Sequence, residues 1–298
     1  VVYKRQALSR MLRRRPRPEP WSTPQASWSR AFGLGWRDPY SVRYASNLDD
    51  GPWHGMPLGG FGAGCIGRSS RGDFNLWHLD GGEHWYGTIP DCQFAIWESD
   101  GTSTRAHALA TAPDRDDSRV DGDDPLAAWQ WYPASTNDST TGTYAARYPL
   151  SWTRYSGVFA AEVSCEAFSP ILPGDYQRSS YPVAVFRWTL RNPTNRPLQL
   201  SLLLSWRNTV GWFTNTDPSA EVHFRDDGSP EHNYAPAIGA GEGQSNRWVD
   251  QPGLKGVLLD GRRSQPLAEG EGQWCLALPD NLEAVSYTHL TLPTTLQV

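Results

Sequence analysis

The chain has 298 residues and a formal net charge of −5 at pH 7, a length that suits one large domain or two small ones. The acidic balance argues against a nucleic-acid partner, because binding to nucleic acid needs a basic face. No stretch approaches the roughly 18 consecutive apolar residues of a membrane span, so the sequence predicts no transmembrane segment.

Both ends of the chain look like translated sequencing adapter. Residues Val2 to Gln6 can be encoded by GTG TAT AAG AGA CAG, and the reverse complement, read two bases on, begins "VSYT", which is Val285 to Thr288. Foreign segments are excluded from fold reasoning. We therefore predict adapter-like residues at 1–6 and 285–298 and expect the natural protein to continue past Ala284.

The basic, proline-rich start predicts a flexible arm. The run "RMLRRRPRPEP" from Arg10 to Pro20 is followed by more polar, proline-rich sequence, which is typical of disorder, so we assign residues 7–40 to an arm. Residues 41–284 then form one domain. The four cysteines lie far apart without a CxxC pair, and no secretory signal is visible, so a reduced cytoplasm is expected.

The first glycine-rich stretch of this domain, "PLGGFGAGCIG" from Pro57 to Gly67, spells the dinucleotide fingerprint Gly62-x-Gly64-x-x-Gly67. That fingerprint works only between a buried strand and a helix. Here prolines and glycines precede it, and a strand-like alternation follows it. We therefore predict a tight turn or bulge rather than a dinucleotide site.

The remaining pattern predicts an all-β domain, a large two-sheet antiparallel β-sandwich, because period-two alternation recurs and no long helical period does. The clearest pair of strands lies between Pro182 and Asn208, where "PTNRP" from Pro193 to Pro197 predicts the turn of a hairpin. Further strand candidates are Phe74 to Leu79, Gln93 to Glu98, Ala146 to Thr153, Phe159 to Phe168, Gly256 to Leu259 and Gln273 to Leu278.

Two long blocks carry a family resemblance. "GMPLGGFGAGCIGRSSRGDFNLWHLDGGEH" (Gly55 to His84) and "FSPILPGDYQRSSYPVAVFRWTLRNPTNRPLQLSLLLSWRN" (Phe168 to Asn208) occur in order. They resemble the N-terminal part of glycoside hydrolase family 116, which includes non-lysosomal glucosylceramidases and bacterial β-glucosidases. The resemblance implies a β-sandwich followed by an (α/α)6 barrel that carries the catalytic carboxylates.

A cluster of polar and aromatic residues marks a candidate binding site. The stretch "WHLDGGEHWY" supplies Trp77, His78, Asp80, Glu83, His84 and Trp85, whose rings and carboxylates suit a sugar. A hydrogen-bonded structural loop and a metal site, with His and carboxylate ligands, are the alternatives. The fifteen tryptophans of the chain likewise fit either an aromatic core or sugar-stacking surfaces.

Retaining glycoside hydrolysis needs two carboxyl groups about 5.5 Å apart, and the sequence pairs none. The candidates are Asp73, Asp80, Glu83, Glu166 and Asp175, but neither spacing nor context joins two of them. We therefore predict no catalytic residue, no metal and no cofactor in this chain.

The resemblance implies a supporting domain of a β-glucosidase or glucosylceramidase-like enzyme. Its partners would be the downstream barrel and a β-glucoside or glucosylceramide-like substrate. The alternative is a free-standing carbohydrate-binding β-module without catalysis, for which the number of tryptophans speaks.

Overall fold

The computed structural model describes residues 28–33, 55–80, 83–113, 129–211, 222–224, 230–232, 243–267, 271–284 and 286. The side chains of Trp28, Asp80, Glu83, His84 and Tyr86, and those of residues 222–224 and 230–232, are outside this description. The adapter-like segments predicted at 1–6 and 285–298 lie outside the described residues, apart from residue 286.

The described elements are strands and one short helix. In chain order the strands are β1 (Trp28–Ala31), β2 (Met56–Gly59), β3 (Cys65–Arg68), β4 (Phe74–Asp80), β5 (Glu83–Tyr86), β6 (Gln93–Ser99), β7 (Thr104–Ala108), β8 (Gly142–Arg147), β9 (Leu150–Tyr155), β10 (Glu162–Phe168), β11 (Val185–Arg191), β12 (Gln199–Ser205), β13 (Val222–Phe224), β14 (Pro230–His232), β15 (Ser245–Gln251), β16 (Leu254–Asp260) and β17 (Trp274–Leu278). The helix α1 (Tyr176–Ser179) connects β10 to β11.

The chain forms two compact units, and the larger contains the described residues of 26–207 and 211–240. Its sheets have the orders β1-β8-β9-β10-β11, β2-β3-β4-β5, β12-β6-β7 and β13-β14. Neighbouring strands in each sheet are antiparallel. The predicted fold class, an all-β sandwich, is confirmed.

An aromatic core joins three of these sheets. Phe94 of β6 lies 5.1 Å from Phe186 and 5.0 Å from Trp188, both on β11, between ring centroids. Phe74 of β4 lies 5.7 Å from Phe186 and 4.9 Å from Trp206, which follows β12. Such ring pairs add about 0.5–1.5 kcal/mol beyond the area they bury. The predicted aromatic-rich core therefore exists.

The predicted hairpin between Pro182 and Asn208 is wrong, although both of its strands form. β11 pairs with β10 in the five-stranded sheet, and β12 pairs with β6 in a three-stranded sheet. Packed sheets lie about 10 Å apart, and the connection of residues 192–198 is long enough to cross that distance. Alternation located both strands but could not identify the strand to which each one bonds.

Two smaller predictions also need correction. The single strand predicted from Ala146 to Thr153 covers the end of β8, a turn at Tyr148 and Pro149, and most of β9, and the two strands pair with each other. Part of the predicted arm, Trp28–Ala31, forms β1 on β8, and the neighbouring Phe32 is fully buried. A four-residue strand beside proline-rich sequence is too short for an alternation pattern to reveal it.

The smaller unit contains the described residues of 208–210 and 241–298. Its sheet is a three-stranded antiparallel meander in the order β15-β16-β17. The side-chain amide of Asn208 donates to Oδ1 of Asn246 and to the carbonyl of Asp260, each at 3.0 Å. In neither unit is any described helix long and apolar enough to cross a membrane.

Candidate functional site: a groove beside the glycine hairpin

The glycine motif is a β-hairpin, as the turn interpretation predicted. β2 pairs with β3, and the turn between them contains Gly62 at φ +68° and Gly64 at φ +74°. These left-handed values favour glycine. A Cβ on Gly59 would lie 2.0 Å from the carbonyl oxygen of Gly64, so the two strands also need glycine to approach each other this closely. The element after the motif is a strand and not the helix that a dinucleotide site requires.

The connection between β10 and β11 holds this hairpin in place. The amide of Gly59 donates to Oγ of Ser169 at 2.7 Å, and the amide of Phe61 donates to the carbonyl of Ser179 at 2.9 Å. A Cβ on Gly60 would lie 2.4 Å from the carbonyl carbon of Ser180. The first half of the turn is therefore held through the amides of Gly59 and Phe61, by one side-chain and one backbone acceptor.

A groove of about 280 Å³ lies beside the hairpin. It is lined by the backbone of glycines, namely Gly59, Gly60, Gly62 and Gly64, and by Pro57, Phe61, Cys65, His78 and Tyr148. Phe61 is 49% exposed and Tyr148 is 53% exposed. These two side chains are the accessible aromatic surface of the groove.

The Cys65 thiol and the Tyr148 phenol of the groove favour their uncharged forms. Burial raises the pKa of the Cys65 thiol to about 11. Burial, followed by the neighbouring Cys65, raises the pKa of the Tyr148 phenol above its ordinary value. The thiol is therefore protonated at neutral pH and is a poor nucleophile. The nine residues that line the groove include no Asp, Glu, Lys or Arg.

The six residues of the predicted binding cluster do not share one environment. His78 lines the groove. Trp77 is fully buried and donates from its indole nitrogen to the carbonyl of Gly87 at 2.9 Å. Trp85, 6% exposed, packs beside Trp77 with the ring centroids 6.4 Å apart, so both indoles contribute to the core.

The side chains of Asp80, Glu83 and His84 are outside the described residues. Contact between the six-residue cluster and a substrate therefore remains a prediction. The metal alternative also rests on those side chains, and among the side chains that are described no group of three His, Cys, Asp or Glu residues could hold a metal ion.

Of the five candidate carboxylates, the three whose side chains are described have partners within the fold. Asp73 is buried and accepts hydrogen bonds from the hydroxyls of Ser69 and Thr88. Glu166, also buried, pairs with Arg187 on the adjacent strand.

Asp175 caps α1. It accepts from the Arg178 amide at 3.0 Å, and this bond, with a second from the Arg178 side chain, lowers the pKa of the Asp175 carboxyl. In none of these three roles do two carboxylates form the acid and nucleophile pair of a glycosidase.

The sequence missed the two exposed rings of the groove. Phe61 sits between glycines in a predicted turn, and an aromatic residue at such a position is a recognisable signal, because turns lie at the surface. Tyr148 gave no signal, since it fell inside the incorrectly predicted strand from Ala146 to Thr153. The sequence also did not identify Glu98 as a buried carboxylate, since a single Glu in an alternating strand usually faces solvent.

These features define a class: a β-sandwich domain in which Asp73, Glu166 and Asp175 serve the fold and whose surface groove, among its described lining residues, is aromatic and has no Asp, Glu, Lys or Arg. A sequence model described as beta-glucosidase 2, glycosyl-hydrolase family 116, N-terminal, matches residues 55–294. The chain belongs to this family, and the resemblance found in its sequence is confirmed.

The match includes both resembling blocks and also residues 285–294, which lie in the segment predicted as adapter-like. That prediction stays open. The matched family is the N-terminal domain of a glycoside hydrolase. Membership in it implies a catalytic partner domain.

Proposed function

We propose that this chain is the N-terminal β-sandwich of a retaining β-glucosidase or glucosylceramidase-like enzyme, working in the cytoplasm. Its role is to support a downstream (α/α)6 catalytic domain, and the acid and the nucleophile belong to that domain. The family match over residues 55–294 is the observation that carries this proposal. The four unbonded cysteines support the cytoplasmic location.

The structural roles of the described carboxylates add support. A retaining mechanism needs one carboxyl with a raised pKa beside a second that stays ionised. Asp73 and Glu166 are instead bonded to fixed partners within the sandwich. A domain with these features can brace an active site while contributing neither of its two carboxyls.

The experiment compares the purified chain with the product of the longer reading frame expected in the source DNA. Both are incubated with a chromogenic β-glucoside and with an inhibitor that traps the glycosidase nucleophile covalently. We expect turnover and a covalent adduct from the longer protein and neither from the chain alone. Turnover by the chain that is lost in Glu83→Gln or Glu166→Gln, or an adduct on either residue, would overturn the proposal.

The second candidate is a free-standing carbohydrate-binding module. The exposed rings of Phe61 and Tyr148 in an uncharged groove favour it. The source DNA distinguishes the two functions, because a supporting domain requires an open frame for several hundred further residues, whereas a free module requires a stop codon near Ala284.

A further inference from the structure

We propose that the groove beside the glycine hairpin binds the pyranose ring of a neutral β-glucoside through Phe61 and Tyr148. The proposal rests on the proposed function only for the choice of β-glucose as the sugar. The site itself is argued from its shape, its exposed rings and its lack of charge.

The groove is preorganised on one side. The hairpin that carries Phe61 is fixed by hydrogen bonds to Ser169 and Ser179, and close packing of Gly60 on Ser180 prevents it from sliding. A ligand that enters therefore does not have to order this loop, and the entropy cost of binding is reduced. The lining glycines have no side chains, so ligand atoms can approach the backbone closely.

The two exposed rings supply the contact area. Phe61 and Tyr148 leave about half of each side chain accessible, at 49% and 53%. Small-ligand sites are mostly apolar with a few polar groups that fix orientation. A pyranose ring presents an apolar C–H face and a rim of hydroxyls, which match the aromatic rings, the Tyr148 hydroxyl and the His78 imidazole.

The lack of charge selects the kind of ligand. A phosphate or carboxylate site needs Arg, Lys or a helix N-terminus, and among the lining residues that the structure describes there is no Arg or Lys. The Cys65 thiol, with a pKa of about 11, stays neutral near pH 7. A neutral hydroxylated ring therefore fits the groove better than a sugar phosphate or a sugar acid.

The test measures binding of methyl β-glucopyranoside to the 298-residue chain by chemical-shift titration. Glucose 1-phosphate serves as the charged comparison. The variants are Phe61→Ala and Tyr148→Ala, with Tyr176→Ala as the matched control, because Tyr176 is 78% exposed on α1 and does not line the groove. Phe61→Tyr, which keeps an aromatic ring, shows whether a loss reflects the missing ring.

We expect saturable binding that weakens at least about fivefold in each alanine variant, as for anchoring aromatic residues at interfaces, and that is retained in Tyr176→Ala and Phe61→Tyr. No saturable response from the unaltered chain would overturn the proposal, and this is also the result expected if the groove instead receives protein. Full binding by both alanine variants, or tighter binding of the phosphate, would overturn it as well.

The outcome is separable from that of the proposed function. The turnover comparison concerns the longer protein and the trapped nucleophile, whereas this titration concerns only the groove. If the titration shows no sugar binding while the longer protein is active, only the proposed sugar site is contradicted. Sugar binding together with catalysis through Glu83 or Glu166 would contradict the supporting role and leave the groove intact.

Discussion

Aromatic residues less than twenty positions apart along the chain have opposite environments. Phe74 and Trp77 on β4 are completely buried. Phe74 contacts rings of β6 and β11, and Trp77 contacts Phe74 and Trp206. Phe61, in the turn just before β3, is 49% exposed beside the groove. Residue type alone therefore does not show whether a ring in this chain builds the core or offers a binding surface.

The difference comes from position on the sheets. The rings of the core project from strands whose faces are covered by another sheet, so water is excluded and the hydrophobic gain is large. Phe61 lies in a turn that is held by a bond from its own backbone amide to the carbonyl of Ser179. The position of the turn therefore does not depend on the Phe61 ring. Substitutions in the buried core should therefore lower the free energy of unfolding much more than substitutions in the exposed turn that carries Phe61.

The largest effect is expected from Trp77→Ala. Its ring is fully buried, and its indole nitrogen donates to the carbonyl of Gly87. Removal of a buried aromatic ring should lower the free energy of unfolding by about 3–5 kcal/mol, measured by urea denaturation. Tyr176→Ala, which removes an exposed ring, should leave the midpoint unchanged. A small loss for Trp77→Ala would mean that the ring does not belong to the core.

A buried carboxylate gives the next effect. Both carboxylate oxygens of Glu98 accept backbone bonds, from the amides of Ala160 and Ala161 at 2.9 and 2.8 Å, and Arg105 lies 2.9 Å away. Glu98→Ala leaves the buried amide of Ala161 without its acceptor and also removes the bonds from the more exposed Ala160 and Arg105. The change should cost about 3 kcal/mol in unfolding free energy.

The matched control for Glu98 is Glu162→Ala. Glu162 pairs with Arg191 at the surface, where ion pairs add little to stability, so the denaturation midpoint should not move. Equal midpoints for the two alanine variants would show that Glu98 is solvated and that the β6 contact to the start of β10 is loose.

Much of this architecture could be predicted from the sequence. Alternation located β4, β6, β10, β16 and β17 close to their observed positions, because a buried sheet face requires every second residue to be apolar. The glycine turn was predictable for the same kind of local reason, since Gly62 and Gly64 adopt positive φ. Long resembling blocks then identified the family.

What the sequence could not supply was pairing between distant segments. β11 and β12 are neighbours in sequence but bond to different sheets, because local alternation carries no information about the partner strand. The groove was hidden for a related reason, since it joins Phe61 to Tyr148 across more than eighty residues. The predicted cluster, defined by closeness along the chain, contributes His78 to it, while Trp77 and Trp85 turn inward.

The glycine hairpin between the two regions should show an intermediate effect. Alanine at position 64 must adopt φ near +74°, and its Cβ would lie 2.5 Å from the carbonyl oxygen of His78. Gly101→Ala is the control, because φ is +85° there and no atom lies within 4 Å of the new Cβ. We expect roughly 1 kcal/mol for Gly101→Ala from backbone strain alone.

Gly64→Ala should exceed its control by about 1 kcal/mol or more, because the carbonyl it meets belongs to the paired strand and cannot move away freely. Thermal or urea unfolding of both variants measures the difference. If Gly64→Ala and Gly101→Ala lower the free energy of unfolding equally, backbone strain at positive φ explains both losses. The hairpin would then have room for a Cβ beside the His78 carbonyl of β4.

The smallest effect is expected for Phe61→Ala, compared with Phe74→Ala as a change of the same residue type. Phe74 is fully buried, so its loss should cost about 3–5 kcal/mol. Phe61 is half exposed, and its turn is held by backbone bonds to Ser169 and Ser179. Its loss should therefore change the free energy of unfolding by no more than about 0.5 kcal/mol, with both measured by urea denaturation under the same conditions. A cost above about 1.5 kcal/mol for Phe61→Ala would contradict the distinction between the core rings and the groove ring, because the Phe61 ring would then hold the hairpin in place. Weaker sugar binding in that variant would in that case reflect a displaced turn.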